Sequence, residues 1–92
     1  MSGPGVTRRL WSFEREPVQQ HLLRLDPEDR RLRFGGQVND HGIRAYCDRL
    51  DWNRAVLIGH LVAGEIRGLG ELKPLAAAWP RAAEVALSVE RG

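Results

Sequence analysis

The sequence predicts an α+β fold. One strand is followed by two or three helices and then by three strands in a mainly antiparallel sheet, so the helices precede the hairpin. Three observations predict it. Residues 43–50 carry apolar side chains at helical spacing, residues 83–90 alternate with a period of two, and residues 55–73 read as two strands meeting at Ala63-Gly64. The strands are joined by short connections, which favours antiparallel pairing. With 92 residues, no internal repeat and no linker, the chain is expected to be one domain with a thin core.

The elements follow in order. Met1 to Gly5 is small and reads as a flexible leader. Val6 to Glu14 is expected as the first strand, with Leu10, Ser12 and Glu14 alternating against Trp11 and Phe13. Pro17 suits the first turn of a helix whose buried stripe would be Val18, Leu22 and Leu25. Asp26-Pro27-Glu28-Asp29 is a second helix start: Asp26 caps, Pro27 fits the first helical position, and two acids sit at the positive end of the dipole. Gly35-Gly36 supplies its stop. Asn39 or Asp40 caps the clearest helix, in which Ile43, Tyr46, Cys47 and Leu50 form one apolar face. Cys47 reads there as a small core residue, with no basic neighbour on its stripe to activate it.

Ala55 to Ile58 is a short apolar run and reads as a buried strand, extended by His60, Leu61 and Val62. Ala63-Gly64 turns the chain into a returning strand from Glu65 to Lys73, which Pro74 closes. Leu75 to Arg81 reads as a loop or short helical turn. Ala82 to Glu90 then alternates cleanly, with Ala83, Val85, Leu87 and Val89 on one side and Glu84, Ala86, Ser88 and Glu90 on the other.

Composition bounds the chemistry. Hydrophobic residues make up 42% and charged residues 28%, which are globular proportions. The net charge is only +2, although thirteen of the fourteen basic residues are arginine and Lys73 is the one lysine. Arg30, Arg31 and Arg33 are the tight basic cluster, but the acids before them complete the charge order of a solvated helix. Nucleic-acid binding is a weak alternative, since it calls for a larger basic stripe. One cysteine forms no internal disulfide, no apolar run spans a bilayer and no secretory signal is visible, so a cytoplasmic location is expected. His21, His41 and His60 lie at no metal-ligand spacing, and the serines lie in no nucleophile motif. Trp11, Trp52 and Trp79 read as packing anchors, and Gly64-x3-Gly68-x-Gly70 is not a dinucleotide fingerprint. Among the acids, Glu71 and Glu84 lie on strands expected to be neighbours, and a strand carboxylate facing a cleft is a candidate general base toward an amine.

From Leu22 onward the chain resembles the N-terminal half of a GCN5-related N-acetyltransferase, the GNAT superfamily. The resemblance runs through Asp26-Pro27-Glu28-Asp29 into Arg33-Phe34, the helix Ile43 to Leu50, the strand Ala55 to His60 and the hairpin return Ile66 to Leu72. The last string, Ala83-Glu84-Val85-Ala86-Leu87-Ser88-Val89-Glu90, is similar to the family's fourth strand, which leads into the cofactor site.

The resemblance implies acyl transfer from acetyl-CoA to a primary amine. By position, backbone N–H groups around Leu87, Ser88 and Val89 would meet the thioester carbonyl and pantetheine arm; a strand with a bulge can aim such a donor outward. Glu71 or Glu84 would deprotonate the amine, directly or through water. The family's pyrophosphate loop, Gln/Arg-x-x-Gly-x-Gly/Ala, has no counterpart before Gly92, and its tyrosine general acid has no matching position, since Tyr46 lies on the apolar face of a helix. The expectation is a truncated half-domain that binds acetyl-CoA poorly alone. The rival reading is a non-catalytic interaction module that forms a homodimer through Ala82–Glu90.

Overall fold

The computed structural model describes residues 5–74 and 83–90. Most of the expected leader, the segment 75–81 with Trp79, and Ala82 at the start of the last strand lie outside the described residues.

The first strand is shorter than the expected Val6 to Glu14. Strand β1 spans Val6–Leu10, and Ser12–Glu14 forms one 3₁₀ turn. Glu14 is the cause. Its carboxylate accepts the Trp11 N–H at 2.9 Å and is held by two Arg8 nitrogens at 2.6 and 3.1 Å, which folds the chain back on itself. The Arg8 hydrogen bonds are also the main reason the Glu14 carboxyl is held below its ordinary pKa. Trp11 is half exposed and stacks under the Arg9 guanidinium at 4.2 Å, so it is not the packing anchor its residue type suggested.

Helix α1, Arg15–Arg24, buries Val18 and Leu22, and Leu25 is buried just past its end. Helix α2, Pro27–Phe34, starts where the Asp26 carboxylate accepts the Asp29 N–H at 2.8 Å. It ends at Gly35, whose φ of 74° is the left-handed region where a side chain is strained. Helix α3, Asp40–Asp48, is capped by Asn39, which accepts the Gly42 N–H at 2.8 Å. Ile43 and Cys47 are fully buried on its inner face, and burial pushes the Cys47 thiol up to about 11, as suits an inert core residue.

Strands β2, Val56–Val62, and β3, Glu65–Pro74, are joined by Ala63 and Gly64, both at positive φ (53° and 81°), as a two-residue hairpin turn requires. Strand β4 is Ala83–Val89. The sheet order is β1-β2-β3-β4 and every pairing is antiparallel. Among the described residues the β2–β3 ladder shifts register between His60 and Leu61, where Arg67 of β3 is the extra residue, while the β3–β4 ladder runs without a break. The described β3–β4 pairing carries no bulge at Leu87–Val89.

The helices cover one face of the sheet. The core between them includes Leu10, Val18, Leu22, Ile43, Leu57 and Leu69. Registered partners share a face, so Leu57, Glu71 and Ala86 form one row toward the helices, and Ile58, Gly70 and Leu87 form one row on the opposite face. That opposite face carries Val85, Leu87 and Val89 at 62, 71 and 65% exposure. With Gly68 and Gly70 at its floor, it forms an apolar trough of about 330 Å³. The alternation of β4 is thus inverted from the usual pattern: its polar side faces the helices. No helix among the described residues is long and apolar enough to cross a membrane.

Candidate functional site

The polar side of β4 and its neighbours on β3 build two clusters at opposite ends of the sheet. The first centres on Glu71, which is 1% exposed. Strand alternation turns it toward α2 and α3, and burial of a carboxylate is tolerated only when it is paired. Arg33 of α2 donates to its Oε2 from Nε at 2.9 Å and from Nη2 at 2.6 Å. The Tyr46 hydroxyl of α3 donates to Oε1. Tyr46 in turn accepts from Arg33 Nη2 at 2.8 Å and from Lys73 Nζ. Burial, then the adjacent Glu71, pushes the Tyr46 phenol well above its ordinary pKa, so it stays protonated and donating. Burial acts against the charge on Arg33, but the Glu71 carboxylate outweighs it and the guanidinium is held charged.

Lys73 lies two residues along β3 from Glu71, on the same face, with its Nζ 3.9 Å from Glu71 Oε1. Glu84 is its registered partner on β4. Beside Tyr46 and Lys73 opens a pocket of about 430 Å³, also lined by Arg49, Leu50, Arg54 and Ala55. The structure therefore places Glu71 and Glu84 on paired strands, as expected, and on one face of the sheet, but in different states. Glu84 is exposed, whereas both oxygens of Glu71 are already engaged. The amine nearest Glu71 is Lys73, which pairs with its Oε1 at 3.9 Å and also donates to the Tyr46 hydroxyl.

The second cluster centres on His21, which is fully buried on α1. Burial, outweighing the opposing pull of Glu90, holds its imidazole below the ordinary histidine pKa, so it is neutral at neutral pH. The hydrogen-bond network assigns the tautomer. Nδ1–H donates to Glu90 Oε2 at 2.8 Å, and Nε2 accepts from the Ser88 hydroxyl at 2.8 Å. Glu90 also accepts from Arg24 Nε at 2.8 Å and from Arg67 at 3.2 Å. Serine, imidazole and carboxylate stand in series, but Ser88 is itself buried, and the series ties β4 to α1.

Leu87, Ser88 and Val89 divide accordingly. The Glu90 N–H donates to the Arg67 carbonyl at 2.9 Å. By the alternation of an antiparallel ladder, this turns the Ser88 backbone toward β3 and the backbones of Leu87 and Val89 outward, along the free side of β4. Of the three N–H groups, those of Leu87 and Val89 point away from the ladder.

Two features escape the sequence reading. Tyr46 sits at helical spacing on an apolar face, yet its hydroxyl is the hub of the Glu71 cluster; the available signal was that a buried tyrosine needs a partner for its O–H. The arginine cluster is likewise not a solvated face. Arg33 is committed to Glu71, and Arg30 donates to the Leu23 carbonyl at 2.7 Å, the Leu25 carbonyl at 3.2 Å and the Asp40 carboxylate at 2.8 Å, clamping the helix connections together. Only Arg31 of the three is exposed.

No family model matches the chain, and no curated protein matches it. Among solved structures it is similar to the GNAT domain of S. lividans PAT, with a TM-score of 0.69 at 18% identity over 96% of this chain. The match covers 55% of that domain, so the chain spans about half its length. At this identity the likeness is one of fold: the chain has a GNAT-like α+β fold, in agreement with the resemblance read from the sequence.

Proposed function

We propose that this chain carries the first half of an acetyl-CoA-dependent N-acetyltransferase site, transferring an acyl group to a primary amine. The observation that carries the reading is the GNAT-like order of helices and antiparallel strands, together with outward-turned backbone at Leu87 and Val89 on the free side of β4. In this reading those amides meet the thioester carbonyl, where fixed donors stabilise a developing oxyanion. Ser88 contributes by holding β4 against His21, so that the strand presents its edge rigidly. Glu84 is the carboxylate open to an incoming amine, and Glu71 acts through Tyr46. In this reading the 92 residues bind acetyl-CoA only weakly.

The test is an amide NMR titration of the 92-residue protein with acetyl-CoA. Shifts confined to β4, centred on Leu87 and Val89 and saturating only in the millimolar range, are expected. Absence of any β4 shift at the highest soluble concentration overturns the cofactor assignment, and tight binding by the monomer overturns the half-site reading.

A second reading is favoured by a separate observation. β4 is an edge strand among the described residues, and Val85, Leu87 and Val89 on it are exposed. An unpaired apolar edge is a template for another strand, and two-fold symmetry lets the same strand serve both copies. The chain in this reading is a homodimerisation module joined through Ala82–Glu90.

A further inference from the structure

We propose that Lys73 is itself an acyl acceptor, modified by an anionic activated acyl donor that docks in the pocket beside Tyr46. It rests on the acyl-transfer reading only for the choice of donor. Lys73 is the single lysine of the chain, among thirteen arginines, and it stands where a primary amine is chemically distinct from a guanidinium. Its side chain is 33% exposed, so the ammonium is reachable from solvent at the pocket rim.

Three features of the site fit this chemistry. Arg49 and Arg54 line the same pocket together with the single carboxylate of Asp51, and the two guanidinium groups outnumber it, so they can hold phosphate or pyrophosphate oxygens of a donor. Leu50, Ala55 and Pro74 give an apolar wall for an acyl chain or a pantetheine arm. Behind the ammonium runs a proton relay: Lys73 Nζ donates to Tyr46 Oη, and Tyr46 donates to Glu71 Oε1. A carboxylate occupied by Arg33 and Tyr46 is closed to a free amine, but it remains a proton acceptor through the phenol.

The step balances as follows. Lys73 passes one ammonium proton to Tyr46 as Tyr46 passes its own to Glu71, leaving a neutral amine. The amine lone pair attacks the acyl carbon, the C–N bond forms, and the carbon–sulfur or carbon–oxygen bond of the donor breaks. The leaving thiolate or phosphate takes the second nitrogen proton. The product is an amide at Lys73, and the proton held by Glu71 returns to solvent through Tyr46.

The α-amino group of the 92-residue protein used in the test serves as the reference amine. At neutral pH the α-amino group has a pKa near 8 while an unassisted lysine lies near 10.4, so without the relay the N-terminus reacts first. The full protein is incubated with acetyl-CoA or, in a second arm, with acetyl phosphate, and both amines are followed by peptide mass spectrometry. Lys73 is expected to be acetylated faster than the α-amine, and Tyr46→Phe is expected to slow it roughly a hundredfold, the usual worth of positioned proton transfer. Glu71→Gln serves as a second relay variant once circular dichroism shows it folded. Arg49→Ala with Arg54→Ala is expected to raise the half-saturating donor concentration. A higher rate with acetyl-CoA identifies a thioester carrier as the donor, and a higher rate with acetyl phosphate identifies a small acyl phosphate.

The proposal is overturned if Lys73 reacts no faster than the α-amine, or if Tyr46→Phe leaves its rate unchanged. Lys73→Arg separates this inference from the function above. Acetyl-CoA shifts on β4 that persist in that variant, with Lys73 unmodified in the native chain, refute the acceptor alone. Lys73 acetylation without β4 shifts refutes the cofactor assignment alone.

Discussion

Glu71 shows how one residue acquires its role from three elements. Its place on β3 turns it inward, α2 supplies Arg33 and α3 supplies Tyr46. A buried ion pair adds little net stability compared with an apolar pair, but removing one partner strands the other charge. Glu71→Leu leaves the Arg33 guanidinium, only 8% exposed, without its counter-ion. The expected loss is about 3–5 kcal/mol in urea unfolding, and adding Arg33→Met should restore most of it. A single variant costing less than the double variant would refute this account. Tyr46 and Glu71 were both visible in the sequence as residues, one as part of an apolar stripe and one as a strand acid. Their contact spans 25 positions, and no local periodicity encodes it.

At the scale of elements, the attachment of β4 to α1 is the feature with a pH signature. His21 bridges Ser88 and Glu90, and Arg24 of the same helix adds a bond to the Ile66 carbonyl at 2.8 Å. The His21 pKa is lower folded than unfolded, so above its unfolded value near 6.5 its stabilising contribution is complete. As pH falls below that, the unfolded chain takes the proton first, and stability declines until the folded value is passed. Glu90 is also held low: burial opposes its charge, but Arg24 and His21 outweigh it. Its contribution is complete above the ordinary carboxylate range and is lost as pH falls through its folded value, which is the same direction. The urea midpoint is expected to fall between about pH 7 and pH 5, and His21→Gln, which does not titrate, should flatten that fall while lowering the midpoint at pH 7. A wild-type midpoint constant over that interval would contradict the buried neutral imidazole. The helices themselves were legible because their signals are local: Asp26, Asn39 and Gly35 act within one turn of the residues they cap. The first strand is shorter than its alternation predicts because the bonds that end it come from Arg8 and Trp11 to Glu14, which alternation does not register.

At the scale of the whole molecule, the sheet is covered by helices on one face and presents apolar rows on the other. Val85, Leu87 and Val89 line the second face of an edge strand, and an exposed apolar surface of this kind marks a place of association. In the homodimer reading, light scattering at tens of micromolar (roughly the range for an interface of modest size) is expected to give twice the monomer mass. Leu87→Lys is expected to return it to monomer with the helical signal intact. Monomer alone in the native protein would remove the dimer reading and leave the half-site reading standing.

By itself the sequence determined what short-range physics controls: the order of elements, the helix caps, the hairpin turn, the inert Cys47 and a GNAT-like α+β class. Alternation also determined that β4 has a polar and an apolar side. Only the tertiary structure decided that the polar side faces the helices, because His21, Arg24 and Arg33 arrive there from distant helices and satisfy Ser88, Glu90 and Glu71. A buried charge is stable only with its partner, and partners brought together by folding leave no periodic trace in the chain.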